Sequence, residues 1–207
     1  MNDIEDIKTI LQPAESKYKE KGSLFIGKAL HINDEDQAEE IIAGIRKKLF
    51  DATHHCYAYR LSSGAFKYSD DGEPSGTAGA RILNAIDHFE LKDCLCVVTR
   101  YFGGTKLGVG PLGKAYYAAA YDAFQSAQKI NQRRYNELSI RFEFQLTSNV
   151  HRILSANESK ILNSDYDEKA RLICLAPTKN IESLIAELTK ISKGKIEILV
   201  KDEFCYL

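Results

Sequence analysis

Three stretches of this chain bring together side chains that could do chemistry. The first runs from Val98 to Tyr117, VTRYFGGTKLGVGPLGKAYY. It holds five of the chain's 13 glycines (Gly103, Gly104, Gly108, Gly110, Gly113), with Lys106 and Lys114 inside the loop and Arg100 just ahead of it. Glycine lets the backbone turn tightly and come close to a ligand. The unpaired N–H groups of a helix start favour an anion. An apolar strand-like run, a glycine loop and a helix-like run therefore read as a phosphate-binding corner, for a nucleotide or for RNA. Two nucleotide motifs can be laid over it, and neither works mechanically. The dinucleotide fingerprint places its first glycine directly after the strand and an acid about 20 residues later. Here six residues separate Tyr101 from Gly108, and the region of Gln128 offers Lys129 instead. A Walker loop needs Ser or Thr after its lysine to hold Mg²⁺, and Ala115 follows Lys114.

The second stretch is Asp70-Asp71-Gly72-Glu73, followed by Ser75 and Thr77. Three carboxylates in four residues could hold Mg²⁺, although their spacing matches no calcium loop. They could also rim a site, repelling anions or meeting a basic ligand. The plainer reading is a turn in which Asp70 or Asp71 accepts from backbone N–H groups while Ser75 or Thr77 caps the next helix. The third stretch is His54-His55-Cys56-Tyr57-Ala58-Tyr59-Arg60. Strand alternation sets His54, Cys56, Ala58 and Arg60 on one face and His55, Tyr57 and Tyr59 on the other. Adjacent His and Cys point apart on a strand, which weakens a catalytic Cys–His pair. The aromatic residues Tyr57, Tyr59, Phe66, Tyr68, Tyr101 and Phe102, with Arg60 and Arg100, suit base stacking and phosphate contact. They suit a core and its edge equally well.

The elements that must carry these stretches follow from periodicity. Ile4, Ile7, Ile10 and Leu11 have a short helical spacing, and Glu15 to Leu30 reads as two strands turning near Lys21-Gly22. Asn33 or Asp34 can cap a helix to about Phe50, with Ala38, Ile41, Ile42, Ile45 and Leu49 inward. A strand over His54–Leu61, a helix from about Thr77 to His88, a strand over Cys94–Tyr101 and a helix over Leu112–Gln128 complete the first part. The texture changes near Gln132–Tyr135. A strand over Glu137–Leu146, a helix over Asn149–Asn157 and strands near Ile161–Asp165 and Ala170–Ala176 follow. A helix over Asn180–Ile191 and a strand over Lys195–Val200 end the chain, giving a ferredoxin-like β-α-β-β-α-β order. Two domains are expected, 1–132 and 133–207, the second serving for docking.

Composition sets the outer limits. A chain of 207 residues, 44% hydrophobic and 28% charged, should bury a core. Its 28 Lys+Arg balance 29 Asp+Glu, so nucleic-acid binding would need a local basic patch. Cys56, Cys94, Cys96, Cys174 and Cys205 form no C-x-x-C pair and read as buried thiols of a reduced protein. The acidic start is too polar for a signal peptide, and no run is long enough to cross a bilayer. A cytoplasmic location is expected, with no membrane partner.

Taken together, HHCYAYR, SDDGEPSGTAG and VTRYFGGTKLGVGPLGKAY resemble the IMPACT family, whose bacterial members are called YigZ-like; the resemblance covers about residues 15–128. Residues 133–207 resemble the small C-terminal domain of the bacterial branch. The resemblance implies an α+β protein. Its first domain would have the fold of ribosomal protein S5 domain 2, and its second would be similar to the last domain of elongation factor G. Eukaryotic relatives regulate translation under amino-acid starvation through an additional N-terminal domain; this chain begins almost directly with the shared domain, so that partnership does not transfer. The resemblance carries over no catalytic residue, and fold alone does not choose a function.

The expectation that results is a translation-associated binding protein meeting RNA, the ribosome or a translation factor. Its site would comprise Arg60, Asp70, Asp71, Glu73, Arg100, Gly103, Gly104, Lys106 and Lys114, with no cofactor and no bound metal. One alternative is a small enzyme acting on a phosphate-containing substrate. There Lys106 and Lys114 would stabilise charge, and the Asp70/Asp71/Glu73 group would act as base or Mg²⁺ site. The other is a protein–protein adaptor.

Overall fold

The computed structural model describes residues 6–207. They divide into two units: Lys8–Asn131, and Gln132–Leu207 with the described residues up to Ile7. The first unit is built on an antiparallel five-stranded sheet. Its strands are β2 (Ala14–Glu20), β3 (Ser23–His31), β4 (His54–Arg60), β5 (Phe66–Ser69) and β6 (Cys94–Tyr101), in the order β2-β3-β6-β4-β5. Helix α1 (Glu35–Lys48) covers one face, while α2 (Gly79–His88) and α3 (Val109–Ser126) cover the other.

This explains why β6 is apolar along Cys94–Val98 rather than alternating: both of its faces are buried. Along β6, Cys94, Cys96 and Val98 pack with α2 and α3, and Leu95 and Val97 pack with α1. Along β4, Cys56 and Ala58 take the α2–α3 side while Tyr57 and Tyr59 take the α1 side, the alternation expected from sequence. Lys21 (φ 44°) and Gly22 (φ 83°) turn β2 into β3 at the expected place. Asp34 caps α1 by accepting from the Gln37 backbone N–H at 2.8 Å.

The second unit has strands β8 (Arg134–Phe142), β9 (Lys160–Tyr166), β10 (Ala170–Pro177) and β11 (Glu197–Tyr206), with helices α4 (Thr147–Ala156) and α5 (Ile181–Ser192). Its sheet runs β11-β8-β10-β9 with every neighbour antiparallel, so the expected α+β order β-α-β-β-α-β is present. Both helices pack on one face of that sheet, around Leu138, Ile140, Leu172, Leu184 and Leu188. Among the described residues no helix is long and apolar enough to cross a membrane.

Some elements differ from the sequence expectation. Part of the helical spacing at the start, Ile4 included, lies outside the described residues. Its remainder, Ile7–Gln12, is strand β1, because it pairs with β7 (Gln128–Gln132), a strand hidden in the polar QKINQ segment. The strand expected over Glu137–Leu146 lies at Arg134–Phe142, and Phe144–Leu146 is instead a 3₁₀ turn leading into α4. The last strand continues to Tyr206, where its end pairs with Arg134.

Candidate functional site

Three strands bring the motifs to one end of the first unit's sheet. Phe25, Arg100 and His54 stand in a row across β3, β6 and β4, since Phe25 pairs with Arg100 and Arg100 with His54. Paired residues share a face, here the α2–α3 side. Over this row folds the segment Asp70–Ala78, which links β5 to α2.

That segment is held by carboxylates that accept from backbone N–H groups. The Glu73 N–H donates to the Asp70 carbonyl at 2.9 Å, and the two residues between, Asp71 (φ 44°) and Gly72 (φ 87°), are left-handed. The result is a type I′ turn, a geometry that favours Asp and Gly. The Asp70 carboxylate accepts from three backbone N–H groups, those of Gly76 (2.8 Å), Ala78 (2.9 Å) and Gly79 (2.8 Å). Asp70 therefore caps α2 from eight residues upstream, so the helix begins at Gly79 rather than near Thr77. The Thr77 hydroxyl donates to the Pro74 carbonyl instead. Asp71 accepts from the His55 N–H (2.6 Å) and from Arg46 of α1 (2.5 Å).

Glu73 reaches furthest inward. One of its oxygens, Oε1, accepts from Arg100 Nη1 at 2.5 Å and from the Tyr116 hydroxyl at 2.7 Å, and His54 Nε2 lies 3.9 Å away. Arg100 also donates to the Ser23 hydroxyl at 3.4 Å. Its guanidinium sits 5.3 Å from the Phe25 ring centroid and 5.5 Å from that of Phe102. Its Nε is buried without a hydrogen-bond partner. His54 Nδ1 lies 2.7 Å from the Asp71 carbonyl, and the Cys56 thiol donates to that of Asp70 at 3.0 Å. Burial first, then the nearby carboxylates, push the Cys56 thiol well above its ordinary range, so it is no ready nucleophile. Burial likewise pushes the Tyr116 phenol up, keeping it a donor to Glu73.

The glycine loop rises from this base. The Gly103 N–H donates to Ser23 at 3.2 Å, and the Phe102 N–H donates to the Thr53 hydroxyl at 3.1 Å. A methyl group at Gly103 would sit 1.9 Å from the Gly22 carbonyl carbon, so the β2–β3 turn fixes the root of the loop by close backbone approach. Further on the loop opens. Gly104, Gly108 and Gly110 have nothing within 4 Å of an added methyl group, and Lys106 and Lys114 are exposed. The first turn of α3 has no side-chain cap.

Of the residues expected in the site, Asp70, Asp71, Glu73, Arg100 and Gly103 come together at the base, where the Arg100 and Glu73 side chains are buried, the two aspartates are half-buried and Gly103 is exposed. Gly104, Lys106 and Lys114 form its exposed rim. Arg60 stands apart at the far end of β4, opposite Cys94, and pairs with Asp87 of α2 at 2.7 Å. Tyr57 and Tyr59 lie in the α1 core, Tyr101 donates to Asp51 and Phe66 packs against Arg60, while Phe102 flanks Arg100 at the root of the loop. All three carboxylates are engaged by protein partners. Among the described residues no group of three or more His, Cys, Asp or Glu side chains is arranged to hold a metal ion.

Tyr116 and Ser23 are site residues that the sequence reading passed over. Tyr116 carried a signal: a hydroxyl on the inward face of an Ala-rich helix must find a buried acceptor.

The Impact N-terminal domain model matches residues 21–124, a span that contains the whole of this site, and the model described as a domain of unknown function (DUF1949) matches residues 140–195. The "IMPACT family member YigZ" of Escherichia coli (strain K12) is 30% identical over 187 residues, covering 88% of this chain and 92% of that one. The "Protein IMPACT homolog" of Dictyostelium discoideum is 36% identical over 95 residues, 43% of this chain and 27% of that one. A solved crystal structure of a hypothetical protein superposes with a TM-score of 0.69 at 28% identity, covering 96% of this chain and 98% of that one.

Proposed function

The chain belongs to the IMPACT family, and on that footing we propose a translation-associated regulatory protein of the cytoplasm. It would contact RNA or the ribosome through the loop between β6 and α3, with the second unit as a docking module. The observation that carries this reading is the contrast between the root of the loop and its crest. The root is fixed by Gly103, Ser23 and the buried Arg100–Glu73 pair, while Lys106 and Lys114 are exposed and outside the ion pairs formed among the described residues. A rigid base under free cations and open glycine backbone suits a phosphate chain. A nucleophile or a free general base is not what this arrangement offers: the Cys56 thiol is buried, and Asp70, Asp71 and Glu73 are all bonded.

The test is co-sedimentation with ribosomes together with direct RNA binding across a salt series. Binding that falls steeply with salt, and falls further for Lys106→Ala, is the expected result. A wild-type protein that neither co-sediments nor binds RNA overturns the reading.

A further inference from the structure

Next to the loop, α2 and α3 leave a groove of about 530 Å³ on their outer side, lined by Arg81, Asn84, Val109, Gly110, Lys114 and Tyr117 among others. Most of the exposed wall is apolar, and the charged residues lining it are both cations. Arg81 and Lys114 are exposed, and neither enters an ion pair among the described residues. Val109 is 66% exposed at the rim. Tyr117 stacks on Tyr121 one turn later (centroids 5.9 Å, planes 29° apart), and His88 lies 5.3 Å beyond Tyr121, so rings continue from the groove along the two helices.

Gly110 supplies an independent observation. It lies in the first turn of α3 with ordinary backbone geometry, and a methyl group there would meet nothing within 4 Å. No residue beyond its chain neighbours fills that space, and glycine also relieves the clash that the following Pro111 imposes on a helical residue carrying a Cβ. The space a side chain would fill opens on the groove.

We propose that this groove seats one unstacked nucleotide of a single-stranded RNA, its base against Tyr117 and its phosphate between Arg81 and Lys114. The proposal rests on the RNA reading above and adds the place where a base is held. An apolar wall with an aromatic ring matches a base face, which every nucleotide presents whatever its sequence. Two cations with no carboxylate in the groove's lining and no ion pair among the described residues match the phosphate that a base brings with it. The glycine backbone at Gly110 admits that phosphate to the open N–H groups of the helix start. A duplex hides its base faces and would gain only from the cations.

The full chain is titrated into a labelled single-stranded oligoribonucleotide carrying 2-aminopurine, with anisotropy reporting binding and 2-aminopurine emission reporting stacking. Binding with quenched emission is expected, and Tyr117→Leu should weaken it about tenfold and remove the quenching. Gly110→Ala should weaken binding at temperatures where its unfolding curve shows the variant fully folded, a loss that a purely structural role would not give. A duplex of the same sequence and free adenosine monophosphate should each compete poorly. If RNA binds with a steep salt dependence but Tyr117→Leu and Gly110→Ala bind like wild type, the groove is excluded and the loop reading stands. If duplex and single strand bind alike, the groove is likewise excluded. If wild type binds no RNA, both readings fall. If an acidic, aromatic-containing peptide binds in a Tyr117-dependent way and RNA does not, the groove docks protein and the proposal is overturned.

Discussion

Arg100 Nη1 and Glu73 Oε1 meet at 2.5 Å with their side chains only 7% and 5% exposed, tying β6 to the turn ahead of α2. Removing one partner of a buried pair strands the other charge and costs about 3–5 kcal/mol. Arg100→Ala and Glu73→Ala should each lower the unfolding free energy measured by denaturant titration by that order, and Glu73→Gln, which keeps an acceptor for Tyr116, by less. Arg100 was expected to touch ligand, but its burial makes Arg100→Ala a stability variant. Lost RNA binding in that variant would not report on contact.

Asp70 should behave as a cap rather than a ligand. Its carboxylate accepts from Gly76, Ala78 and Gly79, the last two at the start of α2. Asp70→Ala leaves these donors without their acceptor and should cost about 3 kcal/mol, while Asp70→Asn keeps one acceptor oxygen and should cost less. Urea denaturation measures both. A loss of binding in Asp70→Asn without loss of stability would show that the residue meets a ligand directly.

The glycines of the loop separate into three kinds. Gly103→Ala collides with Gly22 backbone and should fold poorly or not at all. Gly104 (φ 85°) has open space but a left-handed backbone, so Gly104→Ala should cost about 1 kcal/mol through strain alone. Gly110→Ala meets neither obstacle, but the gain in helix propensity is offset by Pro111, which disfavours a helical residue with a Cβ ahead of it, so stability should change by less than about 0.5 kcal/mol. Thermal unfolding of the three variants should therefore give three different outcomes.

Much of this was legible in the chain because periodicity survives folding. Cys94–Tyr101 is the strand its apolar run predicts, and the two faces of HHCYAYR fall as alternation requires. Asp34 caps α1 because capping is local in sequence. What stayed hidden was non-local. Nothing in QKINQ says that it pairs with Ile7–Gln12, more than a hundred residues earlier. The capping of α2 by Asp70 leaps over Ser75 and Thr77, the nearer candidates by type. Arg60 and Arg100 look alike in sequence, and only strand register separates them to opposite ends of the sheet. Charged motif residues read as surface, whereas Glu73 and Arg100 satisfy each other and could therefore be buried.

Stability should fall on mild acidification through His55. His55 is 7% exposed, with Nδ1 3.2 Å from the Thr99 hydroxyl, and burial depresses its pKa below the ordinary value of 6.5 despite the opposing pull of Asp71. The unfolded chain therefore takes up the proton first. Stability is unaffected well above pH 6.5 and declines as pH falls through that value toward the lower folded one. The stability difference between wild type and His55→Asn should be flat above about pH 7 and shift against wild type as pH falls toward 5. Chemical denaturation at stepped pH measures it.

The rim cations should show themselves in salt dependence rather than in stability. Lys106 and Lys114 are exposed, and neither makes an ion pair within the described residues, so Lys106→Ala and Lys114→Ala should leave the unfolding midpoint within experimental scatter. Each phosphate contact contributes about 0.9 to the slope of log affinity against log salt on a duplex and about 0.7 on a single strand. If both lysines touch phosphate, each variant should flatten the slope by about 0.7 and the double variant by about twice that, because the two side chains act on separate phosphates. Equal slopes in all four proteins, with RNA still bound, would move the contact away from the glycine loop.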